Sequence, residues 1–545
     1  MGSRFKMFFA AARRRYIGVL VFGALLCLLV YIPCLDAPFV WDDLVFLADN
    51  AALEQPVRPA DFLTRSYFEL SQEASWRPLA TLSYVLQLRA FGESPGLMRS
   101  VGLALHLLNA LLLFGALRAF RLPPRAGALA AALFLLHPAH VETLMCVTFN
   151  EELLAACGLL VFAWAHRRGN TSAAAAGGVC AMLAKETGAL GIVLAAAGDY
   201  FWGGSARLWE RRRAYAVYAA VTAVYAGVRF IALKGPGAEA GVSLPLAERL
   251  YYGLQGVVTA VRIFVLPAAL RIDYFALPAQ SPLEVLGWLF GGACVVFAAV
   301  LLWRRLREER AVLAWAVWPL VFLGITSNLL PFNLLSTRYM AERWLYLPYI
   351  GLAVVAAWFL VKRPRLAALL LLVWAGSAGA RGREWCEGAR LWGGLVRIYP
   401  WSAKAREGLG ESYYRGGRYA LALAEFTEAA ALRRERTDRL LAHYEPMAGG
   451  ALKWESPSLH RWLGRTHLKT GDMFRAAADF TRAAELDPQD AYSYRIMAYH
   501  FARSGRFDEA LDWQRRGLER FPDDEFLRRL RADIAHRRLS FRAAF

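Results

Sequence analysis

The chain has 545 residues, 57% of them hydrophobic, with a mean hydropathy of +0.31 and a formal charge of +19. So apolar a composition excludes an ordinary soluble protein and marks a polytopic membrane protein. The positive charge does not point to nucleic acid, because the arginines fall largely in short clusters beside apolar runs, where they orient helices in a bilayer.

Taken in order, Arg13-Arg14-Arg15 precede Tyr16–Ile32, an apolar run long enough to cross a membrane with its N-terminus in the cytoplasm. No small-residue cleavage site follows, so this helix is expected to be retained rather than removed as a signal peptide. Residues 34–96 mix polar and apolar stretches with Pro38, Pro56, Pro59 and Pro78, and read as an external loop with short surface helices. Within it, Leu79–Phe91 is interrupted by Gln87 and Arg89 and is expected to lie on the membrane, not across it.

Further spans are expected at Leu97–Phe120, Ala126–Leu136, Phe149–His166, Ser172–Ala184, Thr187–Trp202 and Tyr215–Leu233, then at Leu283–Trp303, Val312–Leu330, Trp344–Val361 and Leu366–Ala380. The basic clusters at 13–15, 167–168, 211–213, 304–307 and 362–365 all reach the cytoplasmic side only if 247–277 stays external or re-entrant. The reading is about eleven crossings, with the N-terminus inside and the C-terminal tail outside.

Beyond the membrane domain, 1–380, residues 381–402 read as a linker or degenerate repeat and 403–545 as an α-solenoid, with an insertion near 433–456. Pro488 and Pro522 are 34 residues apart, as are Gly471 and Gly505, which is the tetratricopeptide period. Such stacks offer a concave surface to extended peptides. The fold class is therefore all-α.

Two adjacent carboxylates, Asp42 and Asp43, stand just past the first span in Phe39-Val40-Trp41-Asp42-Asp43. An isolated Asp-Asp also suits a helix cap or a solvated loop. His137 and His140, in His137-Pro138-Ala139-His140-Val141-Glu142, have ligand-like spacing, yet histidines beside a proline also support a turn. The seven cysteines form no CxxC pair. Cys34 and Cys386 both face outside in this topology, which leaves a disulfide open.

Trp41-Asp42-Asp43, Arg77-Pro78-Leu79, His106-Leu107-Leu108-Asn109-Ala110, the His137–Glu142 stretch, Lys185-Glu186 and Ala341-Glu342-Arg343-Trp344-Leu345-Tyr346-Leu347-Pro348 come in a fixed order before the repeats. In this the chain resembles the transmembrane and tetratricopeptide-repeat-containing O-mannosyltransferases, within the GT-C class of polyprenyl-linked glycosyltransferases. The resemblance covers nearly the whole chain. One departure is Phe149-Asn150-Glu151-Glu152, where those proteins usually carry Gly-Arg-Ala-Asp, so an Arg able to hold a phosphate is absent.

The resemblance implies transfer of a sugar, mannose in that family, from a polyprenyl-phosphate donor to a Ser or Thr hydroxyl of an exported protein held by the repeats. Such a reaction needs a base for the hydroxyl and positive groups or a metal for the departing phosphate. Asp42 or Asp43 supplies the base on this reading, and the resemblance favours Asp42, with Asp43 orienting. Glu142 is a second acid or a metal ligand. Arg77, Lys185, Arg338 and Arg343 are candidates for the donor phosphate, while His137, His140, Glu186 and Glu342 shape the site or the acceptor path. A divalent metal is left open and is not required by the sequence. The Ala- and Arg-rich composition suggests a bacterial inner membrane. The competing reading is a non-enzymatic membrane-anchored repeat scaffold, which needs one span and no acidic constellation.

Overall fold

The computed structural model describes residues 2–50, 75–233, 244–326, 338–447 and 454–535, together with Leu53 and Asp61. Most of the middle of the 34–96 loop, the start of the Asn333–Arg343 loop and the centre of the 433–456 insertion lie outside the described residues. Contacts divide the chain between Leu391 and Trp392 into two units.

The first unit is helical apart from an antiparallel pair of very short strands, Tyr274–Phe275 and Arg338–Met340, among the described residues. Each expected apolar run is helical over its described residues, the last four of Val312–Leu330 lying outside them. Six helices, Tyr16–Cys34, Pro95–Ala119, Val147–Arg167, Arg212–Ala232, Pro282–Leu306 and Glu342–Leu360, are long and apolar enough to span a bilayer among the described residues. A seventh span results if Pro124–Leu136 and Pro138–Met145, bent by 52°, are taken together. Pro138 sits at that bend because it has no N–H to continue the helix and its ring forces the residue before it out of the helical region.

The remaining expected crossings correspond to Thr171–Ala184, Gly191–Glu210, Arg310–Thr326 and Pro364–Trp385, which are shorter or carry more charge. The stretch expected to be external or re-entrant is a helix over Leu246–Val265, followed by extended chain into the first strand. Pro78–Phe91 is a helix of 14 residues.

Small residues set the closest helix approaches. A Cβ at Gly158 would stand 2.6 Å from both the Ala181 nitrogen and the Gly177 oxygen, so Asn150–Arg167 and Thr171–Ala184 touch backbone to backbone. The glycines that weaken a helix in isolation are thus used for packing.

The second unit stacks helix pairs: Ala403–Arg415 with Tyr419–Arg434, Pro457–Thr470 with Met473–Leu486, and Ala491–Arg503 with Phe507–Arg520, followed by Glu525–Ala535. Gly471 and Gly505 take φ of +86° and +75° at the turns inside two pairs, a conformation that costs glycine nothing. At Gly464 a Cβ would lie 2.7 Å from the buried Phe480 ring. Gly464→Val is therefore expected to lower the stability of this unit by about 1–3 kcal/mol through overpacking. Thermal unfolding of the whole chain, followed by hydrogen exchange over 457–520, checks this, and unchanged exchange there would contradict it.

Candidate active site

The loop that carries the two carboxylates is held from below by one side chain. Arg99, in helix Pro95–Ala119 and 1% exposed, donates to the carbonyls of Met145 (2.8 Å), Leu35 (2.9 Å), Pro38 (2.9 Å) and Ala37. A planar guanidinium suits this task because its five N–H groups diverge in one plane and reach several carbonyls at once. The sequence reading passed over Arg99. The signal was present, since a lone arginine inside an apolar span is costly unless something there employs it.

Asp43 is fully buried, and its carboxylate accepts from the main-chain N–H of Val147 (3.0 Å) and Thr148 (2.9 Å) and from the Thr148 hydroxyl (3.0 Å). It is thereby committed to the segment that starts helix Asn150–Arg167. Asp42 is half-buried, within electrostatic reach of Arg343. Consecutive side chains diverge, so locking Asp43 inward turns Asp42 to another side.

Trp41, just before them, has φ +56°, a left-handed value that is unusual for a bulky side chain and is sustained only when its surroundings over-determine it. Its ring lies edge-on to Phe149 (5.8 Å) and close to Trp385 (6.1 Å), with the guanidiniums of Arg343 (5.2 Å) and Arg338 (5.8 Å) over it.

Burial pushes the Asp43 carboxyl up to about 6, although Arg99 and the donors from Thr148 and Val147 pull it down. A carboxyl raised on folding contributes stability below its unfolded value, and that contribution is lost as pH rises through the folded value. The contribution is on the order of 3 kcal/mol. Between about pH 4 and about pH 7 the wild type should therefore lose more stability than Asp43→Asn, which has no proton to release there. Thermal unfolding of both proteins in detergent tests this, and equal pH responses would count against it.

Arg343 and Arg338 tie this loop to two further acids. Arg343 pairs with the fully buried Glu142 at 2.6 Å, and the other Glu142 oxygen has no hydrogen-bond partner among the described residues. Arg338 pairs with Asp273 at 3.1 Å. The short strand pairing sets Tyr274 opposite Met340, and the Tyr274 hydroxyl donates to Glu342 at 3.1 Å. Glu342 also accepts from the Arg271 N–H (2.5 Å) and from Arg381 (3.3 Å).

Arg77 and Lys185 belong to a second cluster. Arg77 bonds Glu151 (2.5 Å) and reaches Glu186 through two nitrogens (3.1 and 3.0 Å). Lys185 bonds Glu151 (2.9 Å) and Glu152, and Arg229 lies 4.0 Å from Glu186. Burial alone would raise the Glu186 carboxyl, but the charges of Arg77 and Lys185 outweigh it and hold it below the usual carboxylate range.

The four cations assigned to a phosphate are thus divided, two beside the Asp42 loop and two in the second cluster, and each carries a carboxylate partner. An incoming phosphate has to compete for them. Residues 147–152 join the clusters, because Val147 and Thr148 hold Asp43 while Glu151 and Glu152 hold Lys185. The two glutamates that mark the departure from the family pattern are therefore countercharges in this chain.

His137 and His140 are buried in an aromatic layer. His137 accepts from the Ala139 N–H (3.2 Å), pairs with the Phe264 carbonyl (3.4 Å) and stacks on the Phe264 ring, while His140 pairs with the Phe134 carbonyl (2.8 Å). Among the described residues no group of three or more His, Cys, Asp or Glu is arranged to hold a metal ion.

Fold and site together define a multi-pass, helical membrane protein with buried ionic clusters at its helix ends and a tetratricopeptide-repeat region. The tetratricopeptide-repeat family matches residues 462–525. The chain is homologous to protein O-mannosyl-transferase Tmtc1 of Drosophila melanogaster, at 33% identity over 26% of this chain and 17% of that protein. It is likewise similar to human protein O-mannosyl-transferase TMTC1, at 28% identity over 32% of this chain and 23% of that protein. The matched segments thus span less than a quarter of the length of these curated relatives. Among solved structures, the chain aligns with ArnT from Cupriavidus metallidurans bound to undecaprenyl phosphate, at 17% identity and a TM-score of 0.34, covering 86% of this chain and 80% of that one. The apo state of the same protein gives 18% identity, a TM-score of 0.35 and the same coverage.

Proposed function

We propose that the chain is an integral-membrane glycosyltransferase that moves a sugar, mannose by analogy with its relatives, from a polyprenyl-phosphate donor to a Ser or Thr hydroxyl of an exported protein. The observation that carries this reading is the division of labour in one loop: Asp43 is consumed in anchoring, while half-buried Asp42 stands near Arg343. A carboxylate beside a guanidinium supplies what the reaction needs. Asp42 takes the acceptor proton as the hydroxyl oxygen bonds to the sugar's anomeric carbon. The bond from that carbon to the donor phosphate breaks, and Arg343 and Arg338 offset the charge left on the phosphate.

Arg77 and Lys185, in the second cluster, draw the anionic donor toward the site in exchange for part of their pairing with Glu151, Glu152 and Glu186. Glu142 and Glu342 fix Arg343 and Arg381, and His137 and His140 pack the floor beneath. On this reading the tetratricopeptide repeats select the acceptor, and the distribution of the basic clusters supports an outer-face position for the site and the repeats, in a bacterial inner membrane. The test is purified protein incubated with a panel of polyprenyl-phosphate sugars and an exported-protein extract, read by peptide mass spectrometry. A hexose retained on Ser or Thr is the expected result. No modification with any donor, in protein that binds the donors, would favour a scaffold.

A further inference from the structure

Two of the seven cysteines meet at the root of the carboxylate loop. Cys34 ends the short turn Ile32–Cys34 and is buried, whereas Cys386 follows helix Pro364–Trp385 and is half-buried. The turn packs against that helix at Gly382, where a Cβ would have a single neighbour within 4 Å, the Cys34 sulfur at 3.2 Å. The Cys386 N–H donates to the Gly382 carbonyl at 3.1 Å, so Cys386 continues the helix and stands one turn further along the same face. The two thiols lie within hydrogen-bonding reach of each other. Of the other five, Cys27 and Cys146 are buried, and Cys157, Cys180 and Cys294 lie within apolar helices.

We propose that Cys34 and Cys386 are joined by a disulfide in the working protein, which clamps the carboxylate loop to the end of the last membrane helix. The bond forms by exchange with the disulfide of an external thiol–disulfide oxidoreductase. The Cys386 thiolate, the more accessible of the two, attacks that disulfide and releases one thiol; Cys34 then displaces the second. Two electrons pass to the oxidoreductase, its two sulfurs leave as thiols, and the protons of Cys34 and Cys386 go to them.

The consequence reaches the site from both sides. Leu35, Ala37 and Pro38, the residues that Arg99 grips, follow Cys34 directly, and Trp385, which packs beside Trp41, precedes Cys386. A covalent tie here limits how far the Trp41-Asp42 segment moves away from Arg343.

The inference rests on the proposed orientation, because only the outer face offers an oxidising environment. The test uses the full chain in its native membrane, with free thiols blocked by N-ethylmaleimide before any reductant is added, then digested and read by mass spectrometry. The expected result is a Cys34 peptide linked to a Cys386 peptide, with most of both thiols unalkylated until dithiothreitol is added. Complete alkylation of both without reductant overturns the proposal. A reporter active only outside the cytoplasm, fused after residue 545, separates the two failures. With the reporter active, free thiols refute the disulfide alone; an inactive reporter refutes the orientation and the disulfide with it. Reduced wild type, Cys34→Ser and Cys386→Ser should share one lowered melting temperature. Unequal losses, or no effect of reductant on the wild type, also count against the bond.

Discussion

Asp42→Asn is expected to lower sugar transfer by about 10²–10⁴-fold, the usual contribution of a positioned general base, while leaving expression and donor binding close to wild type. Its neighbour makes the expectation specific. Asp43 is held by Val147 and Thr148 with the Arg99 charge acting on it, so substitutions there act on the loop's anchorage, whereas Asp42 is half-buried and an isosteric amide keeps its size and shape. An amide cannot take the proton of a serine or threonine hydroxyl, and the loss should fall on turnover more than on donor affinity. Single-turnover transfer rates measured beside donor titrations separate the two. If Asp42→Asn transfers at the wild-type rate while Glu142→Gln does not, the base is Glu142, whose second carboxylate oxygen has no hydrogen-bond partner among the described residues.

Arg99→Met should have the largest effect on stability, about 3–5 kcal/mol, because it removes a buried guanidinium on which four buried carbonyls depend. Four carbonyls lose their donor at once, and the Asp43 carboxyl loses a positive charge that favours its ionised form. Arg99→Lys keeps the charge but gives up the fork, and should fall between Met and wild type. Thermal unfolding in detergent gives the magnitude. Hydrogen exchange over 35–48 and 145–149 shows whether the loss is local, as expected, and unchanged exchange there would refute the clamp.

Much of the architecture is legible in local pattern. Apolar runs of about twenty residues become helices because a bilayer-length segment has to satisfy its own backbone hydrogen bonds, and each expected run is helical over its described residues. The 34-residue spacing of Gly471 and Gly505 marks the repeats, since each pair of helices needs its inner turn at the same place. The carboxylate loop was visible too, as two charges where an apolar span had just ended.

Partnership within the site belongs to the tertiary structure. Nothing near Lys185 in the chain announces Glu151 and Glu152, nor does anything near Arg343 announce Glu142, because such pairs form between helices that are distant in sequence and brought together by packing. Arg99 is one more arginine in the sequence until four carbonyls converge on it in the fold, and Cys34 and Cys386 are two outward-facing thiols with no sign that they meet. The sequence by itself determined which segments are helical, where the repeats fall and that acids lie just beyond a span, because periodicity and apolar length act on neighbouring residues. Only the tertiary structure decided that Asp43 is the anchor and Asp42 its half-buried neighbour, because the choice depends on which carboxylate the N–H groups of Val147 and Thr148 reach from more than a hundred residues away.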